Sequence, residues 1–314
     1  MVIFMAKILI TDPVHEECIH ILRKAGFIVD TAYGVSQEEL IKVIGDYDAL
    51  IVRGRTKVTK EVLAAAANLK VVGRAGVGLD NIDVEEARKR GVEVVSTPQA
   101  STTAVAELTI GLMLSLLRKL PYADRSLKDG RWEKPRLHGF ELKGKTVGIV
   151  GFGRIGRAVA KRVLAFEARV IAYDVADIKA LAQELGVEVA SSLEELLREA
   201  DIVSIHVPLL PETRHLIDEK AIYTMKKGAY LINTSRGEVV DTKALLKALK
   251  EGHLAGAALD VFEHEPPAED WEWELVKHPN VVVTPHIGAQ TAEAQRAAAI
   301  QVAESIIKAL SHRM

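Results

Sequence analysis

Val147-Gly148-Ile149-Val150-Gly151-Phe152-Gly153-Arg154-Ile155-Gly156 decides how the rest of the chain is read. A short apolar, β-branched run feeds a G-x-G-x-x-G spacing, and Arg154–Phe166 continues with helical periodicity. The spacing alone is a weak signal. Its setting strengthens it, with a strand pattern before, a helix pattern after, and an acid, Asp174, closing the next strand pattern Arg169–Tyr173. Each glycine has its own task. Gly151 permits the tight turn, Gly153 lets backbone approach a pyrophosphate, and Gly156 lets helix and strand pack closely. The free N–H groups at the helix start then face the phosphates. Asp174 offers acceptors to adenosine ribose hydroxyls and would repel a ribose phosphate. No arginine follows it in Asp174-Val175-Ala176-Asp177, so NAD is expected over NADP.

Outward from this turn the same alternation continues. Thr146–Val150, Arg169–Tyr173, Val187–Val189, Ile202–His206, Ala229–Asn233, Ala255–Leu259 and Val281–Thr284 read as strands, with helices between them such as Thr242–Glu251. Right-handed crossovers make this a doubly wound parallel sheet of the Rossmann type. Upstream, Lys7–Thr11, Phe27–Thr31, Ala49–Arg53, Lys70–Gly73 and Val92–Ser96 predict a second parallel sheet. Helices are expected at Pro13–Ala25, Ser36–Ile44, Thr59–Ala66 and Asp83–Arg90. The near-continuous apolar character of the strands suits sheets covered on both faces. A long helix is expected from Ser101 to Leu120, ended by Pro121 and apolar on most sides, which means burial within the protein or against a partner, with a subunit interface favoured over purely internal packing. The final helix, Ala292–Ser311, follows the last strand, and its periodicity does not say which domain it joins.

Three late loops carry polar residues that a structural turn does not need. They are Asn233-Thr234-Ser235-Arg236-Gly237, Asp260-Val261-Phe262-Glu263-His264-Glu265-Pro266 and Thr284-Pro285-His286-Ile287-Gly288. Each lies past the carboxyl end of a parallel strand, the rim on which open α/β sheets bind ligands. Arginine pairs bidentately with a carboxylate, histidine exchanges a proton near neutral pH, and glutamate orients an imidazole and favours its charged form. Arg236, a glutamate and His286 thus form a candidate set for hydride-transfer chemistry.

The 314 residues predict about two domains. Basic and acidic residues nearly balance, 41 against 43, so no global electrostatic signal for nucleic acid or an anionic membrane exists. Aromatic residues, at 5%, offer no stacking platform for single-stranded nucleic acid. The single cysteine, Cys18, excludes an internal disulfide. The apolar start from Met1 to Ile10 reads as a first strand rather than a signal peptide, and a cytoplasmic protein is expected. The histidines outside the late loops, among them His312, show no metal-ligand spacing, and no metal is expected.

The chain resembles the D-isomer-specific 2-hydroxyacid dehydrogenases along essentially its whole length. The carrying stretches are Ile51-Val52-Arg53, Val72-Gly73-Arg74-Ala75-Gly76-Val77-Gly78-Leu79-Asp80-Asn81-Ile82-Asp83, Lys128-Asp129-Gly130-Arg131-Trp132-Glu133 and Ala257-Ala258-Leu259-Asp260-Val261-Phe262. By this resemblance Arg236 binds the substrate carboxylate, His286 is the acid/base, and Glu265, not Glu263, is its carboxylate partner. Asp260 holds the nicotinamide carboxamide, and Arg154 and Ile155 contact the pyrophosphate. Val77, His206, Val207, Thr234, Ser235 and Gly288 lie along the cofactor, Val77 standing where some relatives carry threonine. Arg53, Arg74 and Gly76 are implied substrate contacts for a phosphorylated 2-hydroxy acid, with Arg53 favoured for the phosphate and Arg55 and Lys57 assisting.

The resemblance also implies an organisation. The Rossmann domain, 99–288, is inserted into a flavodoxin-like substrate domain, 1–98 plus 289–314, and the cleft between them closes on ligand. The Ser101–Leu120 helix forms a homodimer, with Lys134 or Arg136 reaching across it. A C-terminal regulatory domain carried by some relatives is absent from the expectation. Reductases of other 2-keto acids, and an NAD-sensing corepressor or scaffold, share these motifs and stand as alternatives.

Overall fold

The computed structural model describes residues 6–311. The Met1–Met5 part of the expected first strand, and His312, lie outside the described residues. The chain divides into two compact units, one running to Ser101 and resuming at Ala289, the other Thr102–Gly288.

The first unit opens with β1 (Lys7–Ile10), α1 (Glu16–Lys24), β2 (Ile28–Thr31), α2 (Gln37–Val43), β3 (Ala49–Val52), α3 (Lys60–Ala65), β4 (Val71–Arg74), α4 (Val84–Lys89) and β5 (Glu93–Ser96). Its strands are all parallel in the order β2-β1-β3-β4-β5. The winding reverses between β1 and β3. β3 is buried at every position, as its unbroken Ala-Leu-Ile-Val requires.

The second unit begins with α5 (Thr102–Leu117) and α6 (Leu120–Lys128). A parallel sheet follows: β6 (Thr146–Val150), β7 (Arg169–Tyr173), β8 (Glu188–Val189), β9 (Ile202–Ile205), β10 (Tyr230–Asn233), β11 (Gly256–Leu259) and β12 (Val281–Val283). Their order is β12-β11-β10-β9-β6-β7-β8. This is the doubly wound dinucleotide-binding topology with one further strand at β12. Helices α7 (Arg154–Ala165), α8 (Lys179–Leu185), α9 (Leu193–Glu199), α10 (Glu219–Thr224), α11 (Thr242–Lys250) and α12 (Asp270–Lys277) cover its faces.

One expectation needs correction here. The helix that begins at Thr102 ends at Leu117, where Lys119 turns left-handed at φ 53°. Pro121 then sits in the first turn of α6 and opens that helix instead of closing the previous one. Proline is at home there, because the first-turn N–H has no intrahelical partner to lose. Separately, much of the apolar surface of α5 is buried within its own unit. It packs on α7, β10, β11 and β12, and Val105, Ile110, Leu112, Met113, Leu116 and Leu117 are buried. The exposed apolar side chains lie just beyond it, at Leu120, Tyr122, Leu127, Trp132 and Phe140, with Trp132 78% exposed.

The chain returns to the first unit through α13 (Ala292–Ser311), which packs on α1, β4 and β5. Glycine at the β4 position 73 makes room for it: an added Cβ would stand 2.7 Å from Val302 Cγ2 and 3.0 Å from Ile306 Cδ1. No helix among the described residues is long and apolar enough to cross a membrane. Gly73→Ala should therefore overpack the β4–α13 contact and cost roughly 1–3 kcal/mol. Denaturant unfolding of the purified variant measures this, and an unchanged midpoint would refute the packing account.

Candidate active site

The glycine turn is built as its chemistry requires. Gly151 adopts φ 91°, and a Cβ there would stand 2.8 Å from the His206 carbonyl carbon and from Val207 Cγ1. Gly156 is tighter still, its Cβ falling 2.1 Å from the Gly151 carbonyl oxygen. Gly153 differs. It caps α7 on the exposed side, and nothing lies within 4 Å of an added Cβ. The turn is thus closed against protein at Gly151 and Gly156 and open at Gly153, where a pyrophosphate would approach. Exposed Arg154 and half-buried Ile155 form the first turn of α7. Asp174 accepts the Phe152 N–H at 2.7 Å and the Ala176 N–H at 3.0 Å. Its carboxylate is held at the end of β7 and keeps lone pairs for ribose hydroxyls. These residues fit a bound NAD.

The late loops meet at the carboxyl ends of β10, β11 and β12. Asn233 folds the first one: its Oδ1 accepts the Ser235 N–H (3.0 Å) and hydroxyl (2.9 Å), and its Nδ2 donates to the Arg236 carbonyl (2.7 Å). Thr234 is buried, and its hydroxyl lies 2.9 Å from that of Thr109 on α5. Gly237 then packs under the next loop. A Cβ on it would lie 1.9 Å from the Phe262 carbonyl carbon, so only glycine lets these two backbones touch.

Asp260 organises the third loop. It is 1% exposed and accepts from the Thr284 hydroxyl (2.6 Å), the Ile287 N–H (2.8 Å) and the Gly288 N–H (2.9 Å). Its own carbonyl accepts the His286 N–H at 2.8 Å. Most of the carboxylate's acceptor capacity is therefore spent on protein, as is the N–H of Gly288. Held this way, His286 takes a left-handed φ of 52°, a conformation a β-carbon residue adopts only when its surroundings enforce it.

Glu265 and His286 form a dyad, with Nδ1 2.6 Å from Oε2. An ionised carboxylate only accepts, so Nδ1 carries the hydrogen and Nε2 is left for proton exchange. Burial pushes the Glu265 carboxyl up. The His286 hydrogen bond and charge, the Phe262 N–H and the Arg236 guanidinium together outweigh this and hold it below the usual carboxylate value. Glu263 faces elsewhere, accepting from the Thr242 N–H and hydroxyl and lying 3.4 Å from His215. His264 pairs with Glu272. His206 ends β9 with Nε2 2.9 Å from the Ser204 hydroxyl, and burial pushes its pKa down to about 3. His206 thus pairs with a hydroxyl, whereas His286 pairs with the carboxylate of Glu265.

In the first unit, Arg74 ends β4 and its guanidinium lies over Gly76, where a Cβ would fall 1.5 Å from Nη1. The Gly76 N–H donates to the Arg74 carbonyl. Val77 is 38% exposed. Arg53 begins the loop after β3, with Nη2 3.4 Å from the Gln290 side-chain oxygen. No His/Cys/Asp/Glu cluster able to hold a metal occurs among the described residues. The late-loop reading included Asn233 and Gly237 without giving them a role, and it missed Thr109, which lies on a helix and carries no signature of its own.

A glycine turn shaped for a pyrophosphate, on the same parallel sheet as a paired imidazole and carboxylate, defines a nicotinamide-dinucleotide-binding α/β protein. Residues 110–288 match the family model described as D-isomer specific 2-hydroxyacid dehydrogenase, NAD binding domain. The chain is 51% identical over 306 residues to the D-3-phosphoglycerate dehydrogenase of Methanocaldococcus jannaschii, covering 98% of this chain and 58% of that one. It is 45% identical over 304 residues to the hydroxypyruvate reductase of Thermotoga maritima, covering 97% and 98% respectively. The D-lactate dehydrogenase of Aquifex aeolicus, solved with NAD and lactic acid, matches with a TM-score of 0.86 at 32% identity over 98% of this chain and 95% of that one. The chain belongs to the D-isomer-specific 2-hydroxyacid dehydrogenase family, and it spans little more than half the length of the phosphoglycerate dehydrogenases it matches.

The glycine turn separates two kinds of substitution. Gly156→Ala should lose stability despite a helix-propensity gain of about 1 kcal/mol, because the overlap is with backbone. Gly153→Ala should fold within about 1 kcal/mol of the parent and bind NAD more weakly. Denaturation and NAD titration of both variants test this, and unimpaired NAD binding by Gly153→Ala would sink it.

Proposed function

We propose that the chain is an NAD-dependent dehydrogenase that oxidises 3-phosphoglycerate at C2 to 3-phosphohydroxypyruvate, the entry step to serine. The observation that carries the chemistry is the Glu265–His286 pair at 2.6 Å beside the Arg236 loop. When bound, the nicotinamide supplies the hydride acceptor. His286 Nε2 takes the C2 hydroxyl proton, Glu265 stabilises the resulting positive charge, and Arg236 anchors the carboxylate. The phosphate assignment is supported by Arg53, Arg55 and Lys57 in one loop and by relatives named D-3-phosphoglycerate dehydrogenase. A second reading, reduction of hydroxypyruvate, is favoured by the Thermotoga maritima relative, which matches this chain end to end. We further propose a homodimer through the Ser101–Leu120 region, supported by the exposed apolar side chains Leu120, Tyr122, Leu127, Trp132 and Phe140 at and beyond its end. We also propose a cytoplasmic setting, as for a metabolic enzyme of this family.

Turnover of 3-phosphoglycerate and D-glycerate, in the parent and in Arg53→Gln, tests the substrate. Arg53→Gln should cost about tenfold to a hundredfold in kcat/KM on the phosphorylated acid and far less on the other. Equal losses would remove the phosphate assignment. No turnover of any 2-hydroxy acid would leave the NAD-sensing scaffold.

The proton relay makes a pH prediction. A depressed Glu265 pKa means that its pairing contributes above the ordinary carboxylate value and fades as pH falls through the depressed one. Near neutral pH the carboxylate is ionised and accepts from His286 Nδ1. Oxidation needs the neutral imidazole, so its rate should rise with pH. Glu265→Gln keeps the shape and deletes the charge, which should move that rise to lower pH and slow reduction more than oxidation. His286→Asn should remove the titration and cost about a hundredfold to ten-thousandfold. Profiles of kcat/KM in both directions check this, and an unshifted Glu265→Gln profile would assign the relay to other residues.

A further inference from the structure

Asp12 lies two residues past β1 and is 1% exposed. Its carboxylate accepts from three successive donors of the loop after β3. The Arg53 N–H lies at 2.6 Å, the Arg55 N–H at 3.2 Å and the Thr56 N–H at 3.1 Å, all from Oδ2. The Thr56 hydroxyl donates to Oδ1 at 2.7 Å. From the other side of the same loop, Asn81 Nδ2 donates to the carbonyls of Arg53 (3.1 Å) and Thr56 (2.7 Å). Four residues of backbone are thus gripped at both ends, on amides by one side chain and on carbonyls by another.

This arrangement has a chemical consequence. Amides that converge on one point form the nest with which a loop would bind an external anion. Here an internal carboxylate fills that nest, so the backbone has no N–H of residues 53, 55 or 56 to offer a ligand. Recognition of an anion by this loop then rests mainly on its side chains, Arg53, Arg55 and Lys57. Three cations in five residues repel one another, and a buried anion beneath them offsets that repulsion while fixing the Cα positions from which two of them project. A loop set in advance loses less freedom when it binds.

We infer that Asp12 and Asn81 are positioning residues that preset the Arg53–Lys57 loop for the substrate's phosphate group, and so determine preference for a phosphorylated over an unphosphorylated 2-hydroxy acid. The inference rests on the proposed reading that Arg53 meets that phosphate. Neither side chain touches substrate in this account.

The test uses the full chain and two substrates that differ only by the phosphate, 3-phosphohydroxypyruvate and hydroxypyruvate, in the reducing direction with NADH. Asp12→Asn should raise KM for the phosphorylated substrate about tenfold to a hundredfold, the range of a lost charged contact, with kcat little changed. Hydroxypyruvate kinetics should move far less. Asn81→Ser should act in the same direction and carries the test if Asp12→Asn does not fold. The double variant Asp12→Asn with Arg53→Gln should lose less than the two single losses combined, because part of what Asp12 positions is already gone. Equal losses on both substrates that combine additively with Arg53→Gln would overturn the inference and make the pair merely structural. If Arg53→Gln harms both substrates alike while the combination stays non-additive, the positioning stands and the phosphate assignment falls.

Discussion

A carboxylate at the end of a buried parallel strand must find donors, because a desolvated charge without them costs several kcal/mol. This chain meets that constraint in one way at three places. Asp260 after β11 takes its donors from the loop after the neighbouring β12. Asp12 after β1 takes them from the loop after the neighbouring β3. Asp174 after β7 takes one from the glycine turn after the neighbouring β6. In each case the acid of one strand shapes the loop of the next. The strands carry the fold, and these acids carry the shape of the rim on which ligands bind.

The catalytic reading depends most on Asp260. By resemblance alone that residue is a cofactor contact. In the structure it is above all the post on which Thr284, His286, Ile287 and Gly288 hang. A left-handed backbone at His286 is costly for a residue with a β-carbon, and the four contacts to Asp260 offset that cost. They aim the imidazole at Glu265. The contrast with His206 shows what aiming achieves. Burial without an acid leaves His206 neutral far below physiological pH, whereas His286 has an anion to share its proton with.

Much of the fold was legible because its signals are local. The alternation of β-branched runs and helical periods located the strands, and the glycine spacing with Asp174 located the phosphate turn. Where the reading failed, the local signal had two meanings. Pro121 closes one helix or opens another, and only the left-handed turn at Lys119 decides which.

The sequence by itself determined the two parallel sheets, the dinucleotide turn and the residue types available for proton exchange, because strand period, helix period and glycine geometry are properties of a few consecutive residues. Tertiary structure alone decided that Asp12 holds a loop beginning 41 residues away, and that Asp260 holds one beginning 24 away. No window of sequence contains those partners. They meet because parallel strands bring their carboxyl ends to one edge, and a buried charge there bonds whichever amides the neighbouring loop presents.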